Sequence, residues 1–321
     1  LDLNGNVQVV GALRSGSNAP YAGAAGTVTS SSAATLVVRA INNPDQWGGR
    51  ITGAITYVQN ATGNTRQFYS DNTYTGTTAI TGGVLQLQDS ARLSATPGVE
   101  LTYGQLTITN AGQFGLADRV NDAAPVTMRG GVLAYLGRAN TDSTETLGQL
   151  VLAGGVPNVY VSPGGTGTNS AVVTMASMSR STANAATVNF ANGGTAAQNA
   201  QAGNAGRLIF TAEPTLTNNI IGPWAIAARE WATYQSGLGT GQLGGTGLAA
   251  YTSTTLTTGN NPTSNVRITT GTTLAAGAVT VNTLNINYGS GTNSLVLGGT
   301  MTLAGGQRGA GRDPHVARGI V

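Results

Sequence analysis

The chain of 321 residues contains no cysteine, no lysine and one histidine, His315. Without cysteine there are no disulfides, no cysteine–zinc sites and no cysteine nucleophile. Without lysine there is no phosphate-binding P-loop lysine, no Schiff base and no lysine isopeptide cross-link. One histidine cannot build a histidine-rich metal site. Charge is also scarce: 8% of residues are charged, against roughly 25% in ordinary soluble domains. Aromatic residues make up 5%. No stretch reaches the ~18 continuous apolar residues of a membrane-spanning helix. The opening Leu1-Asp2-Leu3-Asn4-Gly5-Asn6 has neither an initiator methionine nor a signal-peptide layout, so the expectation is a processed or excised piece of something longer.

Glycine is abundant instead, at 48 residues, about twice its usual share. Apolar residues reach 40%, enough to bury a sizeable core. The sequence pI of 9.4 reflects the C-terminal stretch more than the body. Residues 1–306 hold twelve arginines and eleven acidic residues, whereas Arg308, Arg312 and Arg318 face only Asp313 in the tail. Nucleic-acid binding needs clustered positive charge. These arginines are scattered singly, and no nucleic-acid partner is expected.

Short β-type runs recur along the whole chain. Val7-Gln8-Val9-Val10, Thr35-Leu36-Val37-Val38, residues 51–58, Val84-Leu85-Gln86-Leu87, Leu106-Thr107-Ile108, Leu150-Val151-Leu152 and Leu208-Ile209-Phe210 are examples. Many alternate apolar with polar residues, which marks a strand with one buried face, and glycine and asparagine punctuate them as turns. The runs also resemble one another. Gly82-Gly83-Val84-Leu85-Gln86-Leu87 is echoed by Gly130-Gly131-Val132-Leu133-Ala134-Tyr135 and by Gly298-Gly299-Thr300-Met301-Thr302-Leu303. Gly104-Gln105-Leu106-Thr107-Ile108 is echoed by Gly148-Gln149-Leu150-Val151-Leu152. Irregular spacings of roughly 17 to 27 residues fall in the range of one solenoid coil.

An all-β chain wound as a β-helix accounts for this composition. Each coil buries small inward residues against the coils above and below at about 4.8 Å, and frequent corners need glycine and asparagine. Bulky aromatics are expected to stack poorly in so narrow an interior. A sandwich or barrel, with longer matched strands and more aromatics, ranks second. The stretch from Pro223 to Gln235 is ambiguous, because its alanine, arginine and glutamate favour helix and Pro223 suits a helix start.

At this level the sequence resembles the autotransporter-associated β-strand repeat family of long secreted bacterial proteins. Residues 74–85, from Tyr74-Thr75-Gly76 to Gly83-Val84-Leu85, resemble the repeat itself. Residues 1–13, Ile221-Gly222-Pro223-Trp224-Ala225 with Glu230-Trp231-Ala232-Thr233-Tyr234, and Asn265-Val266-Arg267-Ile268-Thr269 followed by Val281-Asn282-Thr283-Leu284-Asn285-Ile286 resemble coils of the same proteins. The resemblance covers 1–306 in patches and implies a right-handed parallel β-helix at the bacterial cell surface or outside the cell. It also implies strand rather than helix around Trp224–Tyr234. The translocator barrel of such proteins is missing, and 307–321 forms an unmatched tail.

Chemical motifs are few. Gly239-Thr240-Gly241-Gln242-Leu243-Gly244 fits the dinucleotide fingerprint, but no acidic residue lies between Glu230 and Asp313, so a glycine-rich turn is expected. Gly164-Gly165-Thr166-Gly167-Thr168-Asn169 resembles a single calcium nonapeptide with asparagine in place of aspartate, and one copy is too few for calcium. The densest acids are Asp142 with Glu145, Asp118 with Asp122, and Asp71. Glycoside cleavage needs two carboxylates across one bond, whereas these read as solvated turn residues. A Ser-His-Asp triad depends on His315 in the tail. Trp47, Tyr57, Phe68, Tyr69 and Tyr74 form one aromatic group and Trp224, Trp231 and Tyr234 another. Trp47, Tyr57, Trp224 and Trp231 are the candidate sugar-stacking residues, against the alternative that they pack beneath loops.

Together these readings point to a noncatalytic extracellular structural protein: an adhesin, stalk, matrix or filament subunit built as a stiff rod. No cofactor or metal is called for. The absence of cysteine suits export of an unfolded chain. Its expected partner is itself, by end-to-end stacking or continuation of a longer array, because unpaired strand edges invite pairing. Surface polysaccharide is a second candidate partner, and a carbohydrate-active β-helix that binds or cuts polysaccharide is the competing function.

Overall fold

The computed structural model describes residues 1–15, 21–164, 170–191, 205–274, 276–287 and 294–305. The tail from residue 307, His315 and most of the calcium-like motif lie outside the described residues. Among the described residues there are twenty-five strands and no helix. The fold is all-β, a curled and mixed sheet in which parallel pairing dominates.

Alternation in the sequence sets the strands. In Thr27–Val38 and Arg50–Phe68 every second side chain is buried over most of the length, with breaks where the strand turns a corner. In a first column each strand then pairs in parallel with one that follows 21 to 28 residues later. Leu36 lies opposite Tyr57, Tyr57 opposite Thr78, Thr78 opposite Val99, Val99 opposite Val126, Val126 opposite Leu150, and Leu150 opposite Met178. This column begins at Val7–Val10 and ends at Met178–Arg180. A second column runs from Asp45–Trp47 through Arg66, Leu85, Leu106, Leu133, Val159 and Phe190 to Ala227. A third brings together Ser143–Leu147, Ala171–Met175 and Gly206–Phe210. Because side chains alternate across a strand, in-register pairing stacks like upon like, and the inward rows merge into one long core.

Corners between columns need backbone that only glycine adopts freely. Gly83 and Gly131, the second glycines of two echoed motifs, have φ of +67° and +76°. A Cβ on Gly131 would lie 2.2 Å from the carbonyl oxygen of Gly104 in the preceding turn. The glycine pairs thus mark places where the chain both turns into left-handed φ and passes close over its neighbour.

The interior is less uniform than small-residue stacking implies. Tyr57, Tyr74, Tyr135, Phe68, Phe190 and Phe210 are among its largest fully buried side chains. Tyr57 meets Phe68 edge-on at 5.3 Å and Tyr74 at 6.0 Å. Rings fit because the columns face one another across the interior instead of collapsing on a single axis of methyl groups. Their hydroxyls are satisfied inside: Tyr57 donates to Gln59 at 2.8 Å, and Tyr74 and Thr78 share a hydrogen bond of 2.6 Å.

Pro223 to Gln235 is strand, not helix. Ala225–Ala227 and Glu230–Gln235 form an antiparallel hairpin, with Ile226 opposite Trp231 and Ala227 opposite Glu230. Its two-residue loop, Ala228-Arg229, has positive φ at both positions, the backbone of a type I′ turn. Glu230–Gln235 pairs in turn with Gly239–Gln242, also antiparallel. Parallel pairing then resumes with Gly259–Ile268, Val279–Ile286 and Met301–Leu303 over a separate small core around Val266 and Val279.

Candidate functional site

Five acidic residues, Asp71, Asp89, Glu100, Asp118 and Asp142, link successive turns. Asp71 accepts a hydrogen bond from the Ser94 hydroxyl at 2.8 Å, Asp89 from the Gln113 amide at 2.6 Å, and Asp142 from the amide and hydroxyl of Ser170 at 2.9 and 2.7 Å. Asp118 pairs with Arg92 at 3.2 Å and Glu100 lies 3.9 Å from Arg129. Every one of these contacts spans 23 to 29 residues, one turn of the ladder. The Ser170 bonds hold the Asp142 carboxyl below the usual carboxylate range. Asp122 is exposed.

Three acids, Asp45, Glu145 and Glu230, are buried, and Glu145 thereby corrects the expectation that it is a solvated turn residue. Asp45 and Arg66 form a fully buried pair, and Arg66 also donates to the Leu13 carbonyl. Burial raises the Asp45 carboxyl despite Arg66 and Arg14 nearby. Glu145 occupies an inward position of Ser143–Leu147 and accepts the backbone N–H groups of Arg119 and Val120 at 2.9 Å. Burial pushes its carboxyl up to about 8, against those two hydrogen bonds and the Arg119 charge. Arg119, itself buried, spreads its guanidinium over Asn110, Ala91 and Phe114 acceptors, and burial lowers it to about 10. Glu230 accepts from Tyr251 at 2.6 Å, from Asn287 at 3.3 Å and from Asn285, and pairs with Arg267 at 3.1 Å. It therefore pins the hairpin to the second set of parallel strands.

The aromatic candidates do not form a surface row. Tyr57 is fully buried, Trp47 is buried over Gly49, and Trp231 packs with Ile220 and Leu243. The reason is parity: Tyr57 shares the inward face of its strand with Ile55 and Gln59. In such positions their rings face protein, and sugar stacking on Trp47, Tyr57 or Trp231 would need the core to open.

Trp224 differs. It is half-buried and lines a cleft of about 130 Å³ with Met178, Arg180, Pro214, Thr215 and Ile221. The Arg180 guanidinium carbon stands 5.1 Å from the centre of the indole ring, a cation–π distance. Arg180 Nε donates to the Ala186 carbonyl at 2.5 Å. The sequence singled out Trp224 but not Arg180, because the contact between them joins residues far apart in the chain.

The dinucleotide-like motif lies in strand Gly239–Gln242, paired antiparallel, with no helix after it among the described residues. Among the described residues no three acidic side chains converge in a way that could hold a metal ion, and no helix is long and apolar enough to cross a membrane. The chain matches no protein family, no curated protein and no solved structure.

Proposed function

We propose that the chain is a noncatalytic structural rod of the cell surface or extracellular space, wound as a right-handed parallel β-helix of the autotransporter-associated repeat kind. It acts as a stalk, adhesin, matrix or filament subunit and propagates by stacking on itself or by continuing in a longer array. The observation that carries this reading is the column of in-register parallel pairs from Leu36 to Met178, each step one turn of chain. Backbone hydrogen bonds along such a column resist bending and leave few exposed loops for proteases. The use of acids as links between turns supports the same reading, because a carboxylate held by Ser170, Gln113 or Arg92 is not poised to transfer a proton.

Electron microscopy of native, unlabelled material tests it. The proposal expects rods or long fibres with an axial repeat. Rounded particles without elongation, at every concentration examined, would contradict it.

A further inference from the structure

We propose that the cleft between Arg180 and Trp224 binds one acidic sugar unit, a uronate, with Arg180 reading the carboxylate. The site arises where a column stops. Leu101, Met128 and Leu152 stack in register and the next position is Arg180. Among the described residues no strand pairs with the far edge of Met178–Arg180. The following chain passes over the gap as the irregular segment containing Pro214 and Thr215 instead of adding another strand.

Two other arginines, Arg66 and Arg119, are fully buried inside the molecule, whereas Arg180 is only half-buried and borders a cleft. A guanidinium replaces an aliphatic side chain, oriented on one side by the indole ring and fixed at Nε by Ala186. Among the described residues Nε donates to Ala186, the guanidinium faces the indole ring, and no acid pairs with Arg180. Its two terminal nitrogens keep the fork geometry suited to a carboxylate. Met178, Ile221 and Trp224 supply apolar wall, and the Ser179 and Thr215 hydroxyls supply hydrogen-bonding groups. A ring that is apolar on its faces, hydroxylated at its rim and anionic at one carbon satisfies all three. The volume is well below the ~300 Å³ of pockets for drug-sized ligands, so a single sugar unit is the appropriate scale. This site needs only the local geometry and stands or falls separately from the rod.

The test is titration of the full chain with cellobiouronate and with cellobiose, which differ in carboxylate against hydroxymethyl on one ring. Binding is followed by calorimetry and by the indole N–H resonance of Trp224. The expected result is binding of the uronate with a shift of that resonance, and at least tenfold weaker binding of cellobiose. Arg180→Gln should lose the discrimination while melting as the unmodified chain does, and Arg180→Lys should retain only part of it. No binding of either sugar, equal binding of both, or discrimination that survives Arg180→Gln would each overturn the proposal. Should Arg180→Gln fail to fold, the two-sugar comparison on the unmodified chain still decides.

Discussion

Gly131 shows how much a single position carries. Its left-handed φ costs another residue about 1–2 kcal/mol, and a Cβ there meets the Gly104 carbonyl at 2.2 Å. Gly131→Ala should lower stability by about 2 kcal/mol or more, read as a reduced denaturation midpoint with an unchanged slope. Glu145 makes the opposite kind of statement. Its carboxyl titrates near 8 in the folded chain and at an ordinary 4.5 when unfolded, so between those values the folded state binds more protons. Stability from this group is full below about 4.5 and is lost as pH rises through 8, with a slope of at most about 1.4 kcal/mol per pH unit. Glu145→Gln should flatten that slope and melt higher than the unmodified chain at pH 9. Melting curves from pH 5 to 9 check both. Neither position was fully legible in the sequence. The glycine pairs were visible as turns, but the close approach depends on register. Glu145, flanked by Thr144 and Thr146, looks like any polar face of a strand until its neighbours show which side is inward.

At the level of elements, the strands were legible and their partners were not. Alternation in Thr35–Val38 and in 51–58 marks strands directly, whereas the offset that puts Val37 opposite Val58 is set by how the intervening corner folds. The same limit explains the aromatics. Tyr57 and Val58 are both apolar, so alternation alone leaves open which of them points in, and the core takes the tyrosine. The stretch after Pro223 failed on propensity, because alanine and glutamate favour helix in isolation while pairing with Val188–Ala191 and Gly239–Gln242 imposes strand. Its turn is the weak point, since Ala228 and Arg229 hold positive φ without being glycine or asparagine. Ala228→Gly should relieve strain and raise stability by roughly 1 kcal/mol, measurable as a higher melting temperature.

At the scale of the whole molecule, scarcity of charge and regularity of pairing belong together. A ladder of parallel strands fills its long faces with backbone pairing and leaves few places for charge, and those few are used to fasten one turn to the next. The break at the hairpin divides the molecule into a long parallel stack and a short one, with Glu230 bridging to Tyr251, Arg267 and Asn285 across the joint. The all-β class could be read from glycine, asparagine and alternation. The antiparallel interruption and the arginine-capped end of the first column could not, because both depend on where pairing stops.

The central claim, turn stacked on turn in register, can be measured without background because the chain has no cysteine. Val37, Val58 and Ala79 occupy one half-buried outward row on three successive strands, with neighbours about 4.8 Å apart and next-nearest about 9.6 Å. Disulfides need Cα separations of about 4.4–6.8 Å. Under mild oxidation, Val37→Cys with Val58→Cys and Val58→Cys with Ala79→Cys should each form an intramolecular disulfide, while Val37→Cys with Ala79→Cys should not. Cross-linking of the third pair, or failure of the first two in folded protein, would contradict the stacked arrangement.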